Sequence, residues 1–415
     1  MLSRDSIRKI LLTAAVLVMC VGIAQAQAKN VTLTYRIWDV NQAPAMREIA
    51  ERFHEANPNI TVNVEVTPWS QYWTSLEAAA TGRNLPDLFW LNAWFVLYAE
   101  NDQLMPLDNY IERDNVDLGN FPEKLVNNFV FNGTVYGLPK DFDTVGLWYN
   151  KEIFDEAGIA YPDESWDWDT LVEIAKKLTN EEKQVWGFNA SPNQQSGYGS
   201  FVYQNGGYMI SEDLTQAGWT DKNTMGALEF WRDLLFVHQV SPTVAQQTDT
   251  PGEALFEAGR LAMHINGSWN SIRFRDNEYT RDRVDVAVLP KGKQRAVIFN
   301  GLGNVIAANT KYPEEAWQFL KFLSSEEAHL IQGRTGTVIP AFNGTQQPWV
   351  ESVPAFNLQA FVDMVEYGAA APWHRESGKM GQIQTDWLNR VWSGELTVEQ
   401  ACEQLQAEYE ALLSR

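Results

Sequence analysis

Between Val31 and Leu91 the spacing of apolar residues changes repeatedly, and this alternation restricts the fold more than any other feature of the chain. Val31, Leu33, Tyr35 and Ile37 alternate with Thr32, Thr34 and Arg36, the period of a strand whose two faces differ. Met46, Ile49, Ala50 and Phe53 then recur at helical spacing, and Asn57-Pro58 stops that helix. Ile60, Val62, Val64 and Val66 return to the period of two. A second helix, from about Ser70 to Thr81, closes on Gly82, and Pro86-Asp87 opens a short apolar run from Leu88 to Leu91. Strand, helix, strand, helix, strand predicts an α/β fold with a mostly parallel sheet. Ligands of such sheets bind beyond the carboxyl ends of the strands. Those ends carry Trp38, Asp39, Asn92 and Trp94.

A chain of 415 residues is too long for one ordinary core, so two lobes are expected. Phe142 to Tyr149 reads as an extended segment, Trp166 to Leu178 as a helix, and Val284 to Leu289 as a buried strand cut short by Pro290. Val297 to Ala307 looks like a return strand, and Pro313 to Phe322 like a helix with Ala316, Phe319 and Leu320 on one face. Two helices close the chain, the second starting at Thr397 with Gln400 completing a capping box. No repeat, low-complexity tract or long linker separates these elements, which predicts lobes that share crossings.

At the N-terminus Arg4, Arg8 and Lys9 precede an apolar stretch from Ile10 to Ile23 that ends in Ala24-Gln25-Ala26. This is the anatomy of a secretory signal peptide, residues 1–26, and it predicts a periplasmic or extracytoplasmic protein. The apolar run is short for a membrane anchor. Leu17-Val18-Met19-Cys20 resembles a lipid-attachment motif, but Met19 stands where a small residue is expected, which disfavours tethering at Cys20. Removing residues 1–26 takes the net charge from −21 to −23. So acidic a chain repels phosphate backbones and anionic headgroups, which argues against nucleic acid as a partner. Cys402 would then be the one cysteine left, at helical spacing from Val398, Leu405 and Tyr409, a buried apolar residue and no nucleophile. The five histidines are scattered, without the spacing of a metal site, and there is no phosphate-cradling loop or GxSxG elbow. No metal or cofactor is expected.

Four segments carry a family resemblance when taken in order: "PDLFWLNAW" (Pro86 to Trp94), "YGLPKDFDTVGLWYNKEIFDEAG" (Tyr136 to Gly158), "ALFEAGRLAMHINGSWN" (Ala254 to Asn270) and "FNGLGNVIAANTKYPEEAWQFLKFLSS" (Phe299 to Ser325). Together they resemble extracellular solute-binding protein family 1, the sugar-binding subunits of bacterial ABC importers, the family of maltose-binding protein. The resemblance implies a two-lobed periplasmic-binding-protein fold of type II, each lobe a mostly parallel sheet flanked by helices, closing on one ligand. The crossings would fall near Asp141 to Gly146, Phe299 to Asn304 and Ala341 to Pro348. Residues 27–141 and 300–342 would then form the N-terminal lobe, and 142–299 and 343–415 the C-terminal lobe. The implied task is delivery of a ligand to a membrane permease, by a monomer and without catalysis.

The residue types agree with a carbohydrate ligand. A sugar ring has an apolar face of C–H groups, which suits a flat aromatic ring, and a rim of hydroxyls, which suits Asp, Asn and Arg. Seventeen tryptophans exceed what packing alone needs. Trp38, Trp94, Trp269 and Trp373 all fall in predicted loops beside polar Asp39, Asn92, Asn270 and Arg375, whereas Trp148, Trp231 and Trp317 lie within apolar elements and read as core. Trp269 follows the turn-formers Gly267 and Ser268, and the resemblance implies that it stacks on the sugar. The resemblance also implies a crossing-strand carboxylate for sugar hydroxyls, Asp143 ahead of Asp141, either of which could instead pair with Lys140. Asn300 and Gly301 would lie at the second crossing, where a missing Cβ admits a ligand close to the backbone. Arg375 would bind a hydroxyl or pair with Glu376. Several platforms suggest a di- or trisaccharide. The alternatives are a polyamine, an iron complex or a phosphorylated polyol in the same fold, a sensor subunit, or a secreted glycosidase. For the last, no two of the 53 acidic residues stand out as a catalytic pair.

Overall fold

The computed structural model describes residues 30–92, 94–369 and 374–414. The predicted signal peptide, with Cys20, and Trp373 lie outside the described residues. The strands are β1 (Val31–Ile37), β2 (Ile60–Val66), β3 (Leu88–Leu91), β4 (Gly137–Asp143), β5 (Val145–Asn150), β6 (Met263–Gly267), β7 (Val284–Ala287), β8 (Val297–Ile298), β9 (Asn300–Ile306), β10 (Ile339–Pro340) and β11 (Gly368–Ala369), besides a small hairpin of Val130–Phe131 with Thr134–Val135.

A six-stranded sheet in the order β10-β4-β9-β3-β1-β2 organises the first lobe. Val31, Leu33, Tyr35 and Ile37 are buried as their alternation requires. They pack against Met46, Ile49 and Phe53 of helix Ala43–Ala56 and Trp317, Phe319 and Leu320 of helix Pro313–Leu323. The opposite face is closed by Tyr72 and Leu76 of helix Trp69–Thr81, together with Phe95 and Phe129. The second lobe has β6-β5-β7 at its centre. Its core of Phe201, Trp219, Leu228 and Trp231 extends to Trp392 and Leu405 of the two closing helices. The last of these, Val398–Leu413, begins with both bonds of the Thr397/Gln400 capping box in place. Trp148, Trp231 and Trp317 are fully buried.

The sheets depart from the expected mostly parallel arrangement. Only β1–β2 and β1–β3 pair in parallel in the large sheet, whereas β9 is antiparallel to both β3 and β4, and β10 is antiparallel to β4. In the second lobe β5 is antiparallel to both neighbours, and parallel pairing is confined, among the described residues, to the short β8–β11 pair and to isolated bridges such as Trp186–Leu261 and Asn189–His264. The cause lies in the connection between lobes. Strand β4 leaves the first lobe and passes through Thr144 directly into β5, while β9 enters from β8 through Phe299. Segments that leave and enter through the same edge must run in opposite directions. Between the sheets, Phe142, Phe299 and Ile339 pack with Trp148, Trp349 and Phe361, an apolar cluster fed by both lobes.

Candidate functional site

The strand ends nominated from the sequence meet along one edge of the six-stranded sheet. Trp38 follows β1 and Asn92 follows β3. The register sets Leu91 opposite Gly303 of β9, and Asn300 at the start of β9 opposite Asp143 at the end of β4. Across the crossing, Val145 pairs with Gly267, and the next amide, Ser268 N–H, donates to the Thr144 carbonyl at 3.2 Å. Trp269 therefore emerges from the second lobe beside Asp143. The register thus sets Trp38, Asn92, Asp143 and Asn300 along one edge of the sheet, with Trp94 just beyond Asn92 and Trp269 just beyond the Ser268–Thr144 bond.

Trp269 answers to its turn. It sits in a single 3-10 turn, Ser268–Asn270, partly buried against the second core. A Cβ on Gly267 would lie 2.0–2.2 Å from the Trp269 ring carbons. The ring is thus folded flat over the glycine backbone. At the end of β1, Trp38 is half-buried in an aromatic cluster, edge-on to Trp69 (5.3 Å), Tyr72 (5.0 Å) and Trp90 (5.1 Å). Trp94 leads into helix Phe95–Glu100 and lies 4.4 Å from Trp73. The Asn92 carboxamide is engaged locally, its Oδ1 accepting from the Trp94 N–H at 3.0 Å.

The two crossing-strand carboxylates have different environments. Asp141 is buried and paired with Lys140 at 2.5 Å, and its Oδ1 also accepts from the Leu302 N–H at 3.3 Å. Burial pushes its pKa up and that of Lys140 down, while each opposes the other's shift. Asp143 lies at the meeting of the lobes. Its Oδ1 accepts from Gln195 Nε2 at 2.6 Å, and Gln195 is itself fixed by a turn in which Asn193 Oδ1 accepts from the Gln195 and Ser196 amides. Burial first, and the charge of Asp141 second, push the Asp143 carboxyl up to about 8 against the Gln195 bond.

Other nominated residues have partners of their own. The space that a Cβ would occupy at Gly301 faces the Leu125 side chain (2.4 Å) and the Asp141 carbonyl (3.0 Å), so close packing of helix Glu123–Asn127, not ligand approach, explains the glycine. Arg375 pairs with Glu100 of the first lobe at 3.3 Å and not with Glu376. His264 lies between the amides of Asn189 and Asn266, with burial holding its imidazole down to about 4. Among the described residues no cluster of three metal-ligating side chains occurs, and no helix is long and apolar enough to cross a membrane.

Sequence reasoning missed Trp69, Trp73 and Gln195. The end of β2 at Val66 is followed by Trp69, which is 54% exposed and is the most open tryptophan of this wall. The rule that pointed to β1 and β3 applied equally to β2. Gln195 had no comparable signal.

A two-lobed α/β architecture with crossing strands and an aromatic, carboxylate-bearing junction is that of the type II periplasmic binding proteins. Residues 39–329 match the bacterial extracellular solute-binding protein family, and the chain belongs to it. A binding protein of Brucella abortus is 26% identical over 310 residues, 73% of this chain and 74% of that protein. A maltotriose-binding protein of Pyrococcus abyssi is 24% identical over 296 residues, 69% of this chain and 60% of that protein. Among solved structures, an ABC substrate-binding protein from Listeria monocytogenes in complex with cycloalternan superposes with a TM-score of 0.86 at 28% identity, covering 92% of this chain and 99% of that one.

Proposed function

We propose that this chain captures a carbohydrate, a di- or trisaccharide or a somewhat longer oligosaccharide, between its lobes and delivers it unchanged to the permease of an ABC importer. Residues 1–26 would direct export and be removed, and a monomer would act outside the cytoplasm. The observation that carries this reading is the cluster of Trp38, Trp69, Trp73 and Trp94 at the strand ends of the first lobe, with Asp143 and Asn300 on the same sheet edge and Trp269, folded over Gly267, two residues past the strand that pairs with Val145. Flat rings with polar groups near them suit a solute having apolar faces and a hydroxyl rim. A relative named as a maltotriose-binding protein and a similar structure in complex with cycloalternan point the same way.

In this reading the lobes are 27–141 with 300–342, and 142–299 with 343–415. They turn about Thr144, Phe299 and the segment after Pro340. Asp143 donates or accepts at a sugar hydroxyl in place of Gln195, with Asn300 beside it. Closure is favoured only by contacts that need both lobes on the ligand. The test is thermal unfolding of residues 27–415 against maltose, maltotriose, lactose, cycloalternan, spermidine and glycerol phosphate. A ligand at about 100 times its Kd stabilises the fold by about 2.7 kcal/mol, well within such a screen. A shift with a sugar that is recovered intact by chromatography supports the proposal. A shift with spermidine or glycerol phosphate alone, or cleavage of the sugar, refutes it.

A further inference from the structure

Lys140 is fully buried, three residues before the end of a crossing strand. Neighbouring residues of a regular strand point to opposite faces, yet Lys140 and Asp141 form an ion pair at 2.5 Å. The register explains this. Asp141 pairs with Leu302 and Pro139 with the adjacent Gly303, so Lys140 is an extra residue without a partner on β9. Such a bulge re-aims a side chain and also accommodates a proline within a sheet.

The re-aimed ammonium reaches two buried groups that lie behind Trp38 and Asp39. It lies 4.2 Å from the centre of the Trp90 ring, which is edge-on to Trp38. It also donates to Gln42 Oε1 at 2.6 Å, and Gln42 Nε2 donates to Asp39 Oδ2 at 2.9 Å. Gln42 precedes helix Ala43–Ala56 but makes no capping bond with its side chain, which is committed to Lys140 and Asp39. At the other end, Asp141 Oδ1 binds the Leu302 amide of the return strand. One buried charge thus ties two crossing strands to the turn that carries Trp38 and Asp39.

We propose that Lys140 is a positioning residue for ligand binding, holding the Trp38–Asp39 wall in register with the crossing strands. This rests on the carbohydrate reading only for its binding arm. A structural ion pair alone would stabilise β4 against β9 and leave Trp38 indifferent to its removal.

Lys140→Met alone leaves Asp141 buried without a counter-charge, which costs folding stability. The test therefore uses Lys140→Met/Asp141→Asn, in which Asn can still accept from Leu302, and Gln42→Ala, in which the ion pair stays intact. Both are made in 5-fluorotryptophan-labelled protein. The expected result is that the Trp38 fluorine resonance moves or broadens in both variants, while those of Trp231 and Trp317 stay put. Maltotriose affinity, by calorimetry, is expected to fall about tenfold or more, as for a site whose supporting shell is loosened. An unchanged Trp38 resonance in either variant overturns the proposal, as does unchanged affinity in both. If the parent protein does not bind maltotriose, that failure belongs to the carbohydrate reading, and the fluorine spectra decide on Lys140 by themselves.

Discussion

Gly267→Ala isolates the role of Trp269 more cleanly than removing the tryptophan. Gly267 has φ −83° and ψ 168°, a conformation open to any residue, so alanine brings no backbone strain. Its methyl group, however, would stand 2.0 Å from Trp269 Cζ3 and 2.2 Å from Cε3 and Cη2. Carbon atoms pack at about 3.5–4.0 Å, so the ring must swing outward by well over 1 Å. Because Trp269 is only partly buried it can do so, and the stability loss should fall at the low end of overpacking, about 1 kcal/mol. Binding should suffer more. A sugar face covering about 50 Å² of ring at about 25 cal/mol per Å² is worth about 1.2 kcal/mol, and the specific aromatic contact adds about 0.5–1.5 kcal/mol. Losing about 2 kcal/mol raises Kd about 30-fold. Calorimetric titration beside a thermal melt separates the two effects. A folded Gly267→Ala protein that binds its sugar as tightly as the parent refutes the platform role of Trp269.

Asp143, raised to about 8 from 3.8, contributes stability that is complete at low pH and declines as pH climbs towards 8. The buried imidazoles of His264 and His329, held at about 4 against an ordinary 6.5, contribute stability that is lost as pH falls from 6.5 to 4. Melting temperature should therefore peak near pH 6.5, and Asp143→Asn should flatten the descent between 6.5 and 8; equal slopes in parent and variant would contradict this. Glu100→Gln and Arg375→Ala should change Kd by similar small factors without adding in the double variant, since an exposed pair is worth about 0.2–1 kcal/mol. A much larger loss for Arg375→Ala would instead place that guanidinium on the ligand. Trp69→Ala, at an exposed site, should leave the melting temperature within about 2 °C of the parent. It should weaken trisaccharide binding more than disaccharide binding, as paired titrations would reveal.

The first two strands and the helices that follow them were legible because each has one dry face. Alternation located β1 and β2 to the residue, and Gly82 marked the end of helix Trp69–Thr81. The direction of the sheet was not legible, because it depends on where β9 arrives from. Periodicity identifies a return strand between Val297 and Ala307 but not the lobe it returns from. Parallel strands inferred from the first three elements were extended to a sheet whose other half is formed by crossings.

The site divides along the same line between local and long-range causes. Trp269 could be singled out because its cause is local: Gly267 and Ser268 form the turn, and the glycine is where the ring lies. Trp69 and Trp73, at positions i and i+4 of a helix, carry the pattern of core residues and were passed over. Asp141 and Asp143 look equivalent at a spacing of two. The bulge at Lys140 distinguishes them by bringing an ammonium to Asp141, while Asp143 meets Gln195, more than fifty residues further along the chain. The Asp143 contact has a mechanistic consequence. A solute hydroxyl that binds Asp143 must displace Gln195 or share the carboxyl with it, so ligand entry and the Asp143–Gln195 bond compete for the same atoms. Removing Gln195 should alter affinity even though a solute need never touch it.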